Sequence, residues 1–573
     1  MSKTNIPFIK VKSISFKNGT KFEIGEDDII LFVGANNVGK SRTLKDIKDK
    51  LISANANLVL VENIQFNEYY FDFDSMRHYF QSHLTLNNNG SYEFITEDDC
   101  ITYIGLNQVE NALKNNDYNN LGIYQLFYTF LSTENRLNLT KPISFVHPME
   151  NQAFEIWKTL RDDKKSIVKV NKFLNNSFKK GIDIDDAVLG QNTNIQYKIG
   201  DTDVINENLN CDRYEARKKL FQLDNLSEQG DGVRSAVAIL SSLITGDNSL
   251  YLIDEPETFL HPPQARQLGK DIVELSEGKQ CFISTHNIDF IRGVLETDSK
   301  RVKIIKINRN GCDNTYNLLD NKSICKIAND KTLKFSNILN GLFYKQVVLC
   351  EDESDCRFYS NILESVSLGL YQNTLFCAVG GKDQFKKVIP LLIALKIDYY
   401  IIADLDLINN RDKLKQLLNS IKDNNYDQIE TSHTNFLRLF EENTNDQIKS
   451  QSEIQKKIQE IFKNAQHDKY MSDETANSIK KILKNINTYA LLKDAGKGSV
   501  PSGQCRREYD SIQKYLRNNH IFLAEDGEIE RLIPTVDGHG INWVERVFEE
   551  YPNLGDVIYD DAKHFIKMVF NIT

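Results

Sequence analysis

Short apolar runs recur along the chain, and most of them end in a cluster of polar or charged residues. Runs of this length that are followed by a helix-compatible stretch predict buried strands of a parallel α/β sheet. The predicted strands with such clusters span residues 29–33, 250–253, 281–283, 346–350, 375–379, 399–403 and 521–524. Because ligands bind outside the carboxyl ends of strands in open α/β sheets, these clusters are the first candidates for chemistry.

Composition indicates a globular protein, with 40% hydrophobic and 26% charged residues. No apolar run approaches the roughly 20 residues that cross a bilayer. The first residues lack the apolar core of a signal peptide, so we expect a cytoplasmic protein without a membrane partner. Nine scattered cysteines without a C-x-x-C pair favour reduced thiols in the core. The net charge of −10 gives no general attraction to nucleic acid, although a nuclease needs only a locally basic surface.

The most specific motif follows the strand predicted at 29–33. It reads Gly-x-x-x-x-Gly-Lys-Ser and precedes a helix-compatible stretch, which is the setting of a phosphate-binding P-loop. Glycines let backbone N–H groups approach phosphate oxygens. Lys40 would reach the β- and γ-phosphates, and the Ser41 hydroxyl would bind Mg²⁺. The alternative is a chance glycine-rich turn. The candidate nucleotide-binding residues of this loop are Gly34, Asn36, Asn37, Gly39, Lys40 and Ser41.

Three further polar clusters follow in the same half. Ser227 and Gly230 lie in a loop ahead of an apolar helix. Asp254 and Glu255 end one predicted strand, and His286 ends the next. Taken singly, each has an ordinary explanation, because Ser-x-x-Gly loops cap helices, acidic pairs are solvated and a lone histidine is structural. Their order after a P-loop changes that interpretation.

This order resembles that of the ABC-type ATPases, in the branch with SMC-like and DNA-repair members. The resemblance implies that Asp254 holds Mg²⁺ through water, that Glu255 polarises the attacking water and that His286 senses the γ-phosphate. Ser227 and Gly230 stand where that family's signature loop contacts the nucleotide of a partner subunit. The loop reads Ser-Glu-Gln-Gly-Asp-Gly here, unlike the transporter form. The resemblance therefore also implies ATP as a cofactor and a dimer of ATPase heads.

The later half of the chain carries acids at two strand ends. Glu351 and Asp355 bracket a strand-to-helix turn. Asp404 and Asp406 follow another strand, and a strand-like D-x-D would point both carboxylates the same way. Like charges so placed raise each other's pKa unless a cation is present. Oxygen ligands select Mg²⁺ or Mn²⁺, and two such ions roughly 4 Å apart can break a phosphodiester. The alternative is a set of solvated acidic loops.

This half resembles a TOPRIM domain, the fold shared by topoisomerases, primases and some nucleases. The resemblance makes Glu351 the metal-ligand or acid/base glutamate, and it makes Asp355, Asp404 and Asp406 metal ligands. Asp352 stands where that fold has a glycine after the glutamate, which predicts a less permissive turn.

An ABC-type ATPase followed directly by TOPRIM is the architecture of the OLD (overcoming lysogenization defect) family of ATP-regulated nucleases. The Gabija-type and retron-associated antiphage nucleases are grouped with it. That family has a further acidic patch and a late lysine. Here Glu528 and Glu530 match the patch and would hold a second metal. Lys563 matches the lysine, which would stabilise charge on phosphate, with Lys567 as its rival and a solvated surface lysine as the alternative.

We therefore expect an α/β chain in which an ABC-type ATPase head with a helical insert precedes a TOPRIM domain with a helical insertion. The expected ranges are 1–149 and 221–335 for the head, 150–220 for the helical or dimerisation insert, and 336–573 for the TOPRIM nuclease domain with its insertion at about 410–494. Basic residues cluster after that insertion, where they would contact DNA phosphates or form an ordinary solvated face. They are Lys493, Lys497, Arg506, Arg507, Lys514 and Arg517.

The leading interpretation is an ATP-regulated, Mg²⁺-dependent or Mn²⁺-dependent DNA endonuclease that acts in defence against phage. It would form a dimer or tetramer through the ATPase head. The resemblance also implies a defence-system partner, either a helicase or a reverse transcriptase with its RNA or DNA. Two other classes stay open, an ATPase sensor or scaffold that recruits a separate effector and an SMC-like DNA-repair ATPase. The latter needs long coiled-coil arms, and the sequence shows no sustained heptads.

Overall fold

The chain forms two compact units, Met1–Asp330 and Lys331–Thr573. The computed structural model describes residues 8–53, 55–67, 74, 78–81, 84–95, 101–115, 123–144, 152–186, 194–211, 213–297, 299–319, 337–421, 426–444, 451–464, 471–483 and 490–572. Within these residues no helix has the length and apolar character that a bilayer crossing requires.

Sixteen strands are described in the first unit. They are β1 (Val11–Phe16), β2 (Lys21–Glu23), β3 (Ile29–Val33), β4 (Val61–Phe66), β5 (Thr85–Leu86), β6 (Ser91–Ile95), β7 (Ile101–Gly105), β8 (Tyr128–Leu131), β9 (Ile143–Ser144), β10 (Lys180–Asp185), β11 (Asn194–Asp201), β12 (Asp224–Asn225), β13 (Leu250–Asp254), β14 (Gln280–Thr285), β15 (Val302–Asn310) and β16 (Asp313–Leu318).

Six of these strands form one sheet in the order β16-β15-β3-β14-β13-β8. The β15–β16 pair is antiparallel, and the other neighbours are parallel. β3 is buried along its whole length, as expected for an apolar strand covered on both faces. The register pairs Val33 with Thr285 and Asp254 with Ser284, so the predicted P-loop and the predicted acids follow strands that end at the same edge.

Three smaller antiparallel sheets complete the strands of this unit. β1 pairs antiparallel with both β2 and β4. The other two sheets have the orders β5-β6-β7 and β10-β11-β12, and β9 also pairs with β11. The insert predicted as helical therefore contains a strand pair, since β10 lies opposite β11 over six residue pairs.

Helices surround these sheets. The described α-helices of the first unit are Lys40–Ile52, Leu106–Asn115, Thr133–Asn138, Gln152–Asp162, Lys164–Phe178, Thr202–Asn210, Arg213–Leu220, Asp231–Thr245, Pro262–Leu275 and Ile288–Leu295. The core between the main sheet and the β2-β1-β4 sheet contains Ile14, Phe32, Leu44 and Phe282, all with at most 1% exposure.

The second unit is built on a four-stranded sheet whose strands are β17 (Gln346–Cys350), β18 (Thr374–Ala378), β19 (Asp398–Asp404) and β20 (Ile521–Ala524). Their order is β18-β17-β19-β20, and every neighbouring pair is parallel. The helices are Glu353–Val366, Leu368–Tyr371, Phe385–Ala394, Arg411–Asn419, Glu430–Thr444, Gln451–Asn464, Asp473–Leu483, Ala490–Ala495, Gln504–Asn518, Ile541–Glu550 and Asp560–Val569. The described residues between β19 and β20 are thus mainly helical, as the sequence predicts.

Candidate functional site

The P-loop joins β3 to the helix Lys40–Ile52. Gly34 (φ 150°) and Gly39 (φ 102°) adopt backbone conformations that favour glycine. A Cβ on Gly34 would lie 2.3 Å from the carbonyl oxygen of Ile307, and one on Gly39 would lie 2.4 Å from Cδ1 of Leu60. Backbone conformation therefore favours glycine at both positions, and close packing against a backbone atom also requires it at Gly34.

The exposed outer turn of the loop holds Asn36 and Asn37. Asn37 has a φ of 63°, and its carbonyl oxygen accepts a hydrogen bond of 3.3 Å from Arg309. Ser41 is half-buried in the first turn of the helix. The first-turn N–H groups and the hydroxyl lie at a helix N-terminus, where phosphate oxygens and their Mg²⁺ bind in P-loops.

Lys40 is buried inside this loop. Its ammonium donates hydrogen bonds to the carbonyl oxygens of Gly34 (3.0 Å) and Ala35 (2.9 Å). Burial lowers the pKa of Lys40, and the carboxylates at the end of β13 oppose that shift. These two carbonyl contacts hold the Lys40 ammonium within the loop that would enclose phosphates.

The predicted acids and histidine meet beside the P-loop. The Ser284 hydroxyl donates a hydrogen bond to Asp254. Glu255 has a φ of 46°, and its N–H donates to the Ser284 carbonyl (3.1 Å). Nδ1 of His286 lies 3.1 Å from Oε1 of Glu255. This hydrogen bond is the main cause of the raised pKa of His286 and of the lowered pKa of Glu255.

Two residues that the sequence interpretation did not select support this arrangement. Arg136 is fully buried and donates to the carbonyl oxygens of Asp254 (2.6 Å) and Glu255 (3.1 Å). Burial lowers the pKa of its guanidinium to about 10. Glu257 is also buried and accepts a hydrogen bond from the His286 N–H (3.2 Å). Arg136 therefore fixes the backbone of both acids, and Glu257 fixes the loop that carries the histidine.

The predicted signature loop lies at the start of the helix Asp231–Thr245. Ser227 is half-buried in a short 3₁₀ turn, and Gly230 is the exposed N-cap residue of the helix. Arg234 on this helix donates to the carbonyl oxygen of Leu137 (3.0 Å), which belongs to the helix that carries Arg136. The assigned contacts of Ser227 and Gly230 involve a second copy of the chain and stay a prediction.

The predicted carboxylates of the second unit converge at the ends of β17 and β19. Glu351, Asp404 and Asp406 each offer one carboxylate oxygen, and these oxygens lie within 4.8 Å of one another. The Asp404 N–H donates to Oε1 of Glu351 (3.0 Å). Burial raises the pKa of Glu351 to about 8, the charge of Asp404 adds to the shift, and Lys382 opposes it. Three partly buried carboxylates at this spacing are a donor set that suits a hard divalent cation.

The backbone around Asp406 differs from the prediction. Asp404 is the last residue of β19, whereas Asp406 lies in the 3₁₀ helix Leu405–Asn409. The expectation that the D-x-D segment continues as a strand is therefore wrong. The tight turn still brings the Asp406 carboxylate to the other two.

Asp355 occupies the first turn of the helix Glu353–Val366. Its carboxylate accepts a hydrogen bond from the Asp352 N–H (3.2 Å), and the Asp352 side chain accepts in return from the N–H groups of Ser354 (2.9 Å) and Asp355 (3.4 Å). Asp352 is extended, with φ −140°, so the turn does not need the glycine of the TOPRIM pattern. Burial raises the pKa of Asp355 to about 8, and the charge of Asp404 is the second cause of this rise.

A second possible donor set follows β20. Oxygens of Glu528 and Glu530 and a ring nitrogen of His539 lie within 4.8 Å of one another. Nδ1 of His539 lies 2.6 Å from Oε1 of Glu530, and the Gly540 N–H donates to the same oxygen (2.8 Å). His539 was not predicted, because a lone histidine in a loop carries no signal. The Glu530 charge also raises the pKa of Asp355, so this group faces the same region as the first.

Two lysines occupy different surroundings in this unit. Lys382, which the sequence interpretation did not select, forms an ion pair with Asp406 and lies 3.8 Å from Oε1 of Glu351. Lys563, the predicted lysine, donates to the carbonyl oxygen of Asp556 (3.4 Å) and lies 3.5 Å from Asp560. The role assigned to Lys563 stays a prediction.

The predicted basic cluster is partly neutralised by a neighbouring acid. Lys497 lies 2.9 Å from Glu525, and Arg517 forms an ion pair with the same carboxylate. Arg506 donates to the Lys497 carbonyl oxygen (3.0 Å). The side chain of Lys493 lies outside the described residues. These contacts favour the alternative of an ordinary surface for Lys497, Arg506 and Arg517.

Two family models match the chain. The model described as "AAA domain, putative AbiEii toxin, Type IV TA system" matches residues 158–292. The model described as "Overcoming lysogenization defect protein-like, TOPRIM domain" matches residues 342–406, which hold the carboxylates around Glu351. The chain thus joins an ATPase region to an OLD-like TOPRIM domain. This confirms the resemblance to the OLD family and the predicted α/β fold class.

Two relatives are similar over part of their length. Old nuclease of Escherichia phage P2 is 28% identical over 171 residues, which cover 28% of this chain and 28% of that protein. Endonuclease GajA of Bacillus cereus (strain VD045) is 27% identical over 190 residues, which cover 31% of this chain and 32% of that protein. The chain therefore spans less than a third of the length of either relative in these alignments.

Solved structures of SMC heads are also similar to the chain. The alignment with the SMC head bound to the C-winged helix domain of ScpA covers 56% of this chain and 100% of the SMC head chain, at 13% identity and a TM-score of 0.33. An SMC head domain from Thermotoga maritima covers 54% of this chain and 99% of that chain, at 11% identity and a TM-score of 0.28. Because these TM-scores are low, we describe the fold of the first unit from its own strand order alone.

An ATPase region and a TOPRIM domain imply that the chain binds ATP and a divalent cation. The residues fit both groups. The P-loop holds a buried lysine and the close glycine packing that a Cβ would disturb. The second unit holds three carboxylate oxygens at a spacing that one cation can bridge.

Proposed function

We propose that the chain is an ATP-regulated, Mg²⁺- or Mn²⁺-dependent DNA endonuclease of OLD type that acts in the cytoplasm in defence against phage. The observation that carries this proposal is the cluster of Glu351, Asp404 and Asp406 at the strand ends of the TOPRIM domain. The names of the two similar relatives, a nuclease and an endonuclease, support the reaction class.

In this proposal the carboxylates of the second unit hold the cations and orient the DNA. Glu351, Asp404 and Asp406 would bind one cation, and Glu528 and Glu530 would bind the other. Bound Mg²⁺ or Mn²⁺ supplies activation of a water and charge stabilisation on the phosphate. The water oxygen bonds to phosphorus, one ester P–O bond breaks, and the released oxygen takes up a proton. The charges of Asp404 and Glu530 both raise the pKa of Asp355. Asp355 would therefore serve as a ligand of either cation.

The first unit would bind and hydrolyse ATP. Lys40 and the P-loop N–H groups would bind the phosphates, and Ser41 and Asp254 would hold Mg²⁺. Glu255 would orient and deprotonate the attacking water, and His286, hydrogen-bonded to it at 3.1 Å, would contact the γ-phosphate. Ser227 and Gly230 would complete the site of a second copy, so we propose a dimer or tetramer that assembles through the ATPase heads. ATP occupancy would then control cleavage.

The proposal extends to a partner in the same defence system. A helicase would supply unwound DNA, and a reverse transcriptase with its RNA or DNA would supply a nucleic-acid sensor. Co-purification of the chain with the products of neighbouring genes distinguishes these two partners.

Plasmid nicking with purified protein tests the nuclease assignment. Wild-type protein is expected to nick DNA with Mg²⁺ or Mn²⁺ and to lose activity in chelator. Glu351→Gln and Asp404→Asn remove one cation ligand each with little change in volume, so each should lower the rate by about 100-fold or more. Glu364→Gln removes an exposed carboxylate from the helix that follows Glu351 and should cut like the wild type.

Two results would refute this assignment. Glu351→Gln and Asp404→Asn proteins that nick at the wild-type rate would show that the carboxylate cluster does not cut DNA. ATP hydrolysis without nicking in any divalent metal would favour the alternative of an ATPase sensor that recruits another effector.

A further inference from the structure

A glycine turn folds back onto the strand end that carries Glu351. After β18, Gly380 (φ 81°) and Gly381 (φ 105°) adopt the left-handed backbone conformations that glycine permits. Their N–H groups donate hydrogen bonds of 3.0 Å and 2.9 Å to the carbonyl oxygen of Glu351. The residue that follows this turn, Lys382, is therefore held at a fixed backbone distance from the carboxylate cluster.

The side chain of Lys382 enters that cluster. Its ammonium forms an ion pair with Asp406 and lies 3.8 Å from Oε1 of Glu351, and its side chain is 15% exposed. Lys382 also opposes the rise in the pKa of Glu351. A buried charge of this kind is stable only while it is paired. The lysine is thus the cation that neutralises part of this carboxylate group.

A divalent cation at the cluster would bind the same carboxylates. Asp406 cannot direct one oxygen at both an ammonium and a metal ion without strong repulsion between the two cations. The ammonium would therefore have to leave Asp406. Its flexible four-carbon side chain permits a movement of several ångströms while the glycine turn holds the backbone in place. The released ammonium would stay at the edge of the site, within reach of a phosphate that the cation binds.

We propose that Lys382 is a catalytic lysine that exchanges partners, an inference that rests on the proposed nuclease function. Before a divalent cation binds, Lys382 pairs with Asp406 and lies 3.8 Å from Oε1 of Glu351. Once the cation takes those carboxylates, the Lys382 ammonium donates a hydrogen bond to a phosphate oxygen of the bond to be cut. Lys382 transfers no proton, and its effect is to stabilise the negative charge that develops on the phosphate.

The test compares Lys382→Met with Lys413→Met in the full chain. Lys413 pairs with Asp383 at 3.0 Å in the neighbouring loop, so its substitution removes a similar lysine–carboxylate pair from an exposed position. Each protein is stripped with chelator and titrated with Mn²⁺ by calorimetry, and plasmid nicking is then measured at saturating Mn²⁺.

Lys382→Met is expected to bind Mn²⁺ about ten-fold more tightly, because a competing charge is removed. It should nick DNA about 100-fold more slowly at saturating Mn²⁺, because one donor to the developing charge is lost. Lys413→Met should match the wild type in both measurements. Lys382→Arg keeps the competing charge, so its Mn²⁺ affinity should stay within about three-fold of the wild type.

Unchanged or weaker Mn²⁺ binding by Lys382→Met would show that Lys382 does not compete with the cation for the carboxylates, and it overturns the proposed partner exchange. Tighter Mn²⁺ binding by Lys382→Arg overturns it as well. Nicking by Lys382→Met within about three-fold of the wild type at saturating Mn²⁺ overturns the phosphate contact. If Lys382→Met does not fold, as judged by circular dichroism, Lys382→Gln replaces it in both measurements. A wild-type protein that does not nick DNA with any divalent metal refutes the proposed function and with it the catalytic role of Lys382, whereas the Mn²⁺ titrations still decide whether the cation displaces Lys382.

Discussion

Binding of a divalent cation to the carboxylate cluster should release protons at neutral pH. Burial raises the pKa of Glu351 and of Asp355 to about 8, and the charge of Asp404 is the next cause in both cases. The ordinary values of these carboxyl groups lie near 4. A carboxyl group must be ionised before it can bind a metal ion. Both groups should therefore lose their protons when Mn²⁺ binds.

The size of the effect follows from these values. At pH 7 a carboxyl group with a pKa of 8 is about 90% protonated, against about 0.1% for one with a pKa of 4. If both groups ionise, Mn²⁺ binding should release about two protons at pH 7 and about 0.2 at pH 9. The apparent affinity for Mn²⁺ should accordingly rise steeply between pH 6 and pH 8.

Titration calorimetry at pH 7 in two buffers that differ in ionisation enthalpy measures the number of protons released. Asp404→Asn should lower this number, because it removes the charge that, after burial, contributes most to both raised pKa values. Asp412→Asn changes an exposed residue beyond the site and should leave the number unchanged. Release of fewer than about 0.5 protons by the wild type at pH 7 would refute the claim that Glu351 and Asp355 are protonated cation ligands.

Three further predictions concern the ATPase unit. Arg136→Gln removes the guanidinium that donates to the carbonyl oxygens of Asp254 and Glu255, and Thr258 remains as a donor to the Glu255 oxygen. The loss should cost about 1–3 kcal/mol. It should lower the melting temperature and slow ATP hydrolysis more than it weakens ATP binding, and an unchanged hydrolysis rate would contradict this. Glu255→Gln should slow phosphate release about 100-fold while fluorescent ATP analogues still bind, and loss of binding would argue against a role in hydrolysis alone. Gly34→Ala places a Cβ 2.3 Å from the Ile307 carbonyl oxygen and should abolish analogue binding, so normal affinity would contradict the close packing.

Much of the fold could be predicted because its signals are local. The P-loop motif fixes a strand, a loop and a helix in one short stretch. The apolar runs mark strands, and parallel pairing brings their carboxyl ends to the same edge. For this reason the sequence could indicate that Glu255 and His286 lie together, and that Glu351 lies beside Asp404. The structure places both pairs in hydrogen-bond contact.

The residues that escaped prediction act across long stretches of chain. Arg136 is 118 residues from Asp254, and a single arginine in a polar loop gives no sign of its partner. Lys382 follows a glycine pair that was visible in the sequence, but the spacing does not show that the turn folds back onto Glu351. Asp406 was expected on a strand because D-x-D alternation does not reveal a 3₁₀ turn.

The strands of the insert and the pairing of surface charges were also hard to predict, because both depend on partners elsewhere in the chain. The insert reads as mainly helical, with a possible strand at 194–200 that matches β11. Its partner β10 has only two alternating apolar residues, Ile182 and Ile184, which are too few for the pattern to indicate a strand. The cluster of basic residues near Lys497 reads as a DNA surface, yet Glu525 pairs with two of them across the fold.

If DNA cleavage depends on a cation held by Glu351, Asp404 and Asp406, anomalous diffraction from crystals of the wild-type protein grown with Mn²⁺ should locate that cation. We expect an anomalous peak between the three carboxylates, within the distance of direct metal ligation to each. Mn²⁺-dependent cleavage by protein whose crystals show Mn²⁺ elsewhere, with no peak among these three residues, would contradict this dependence.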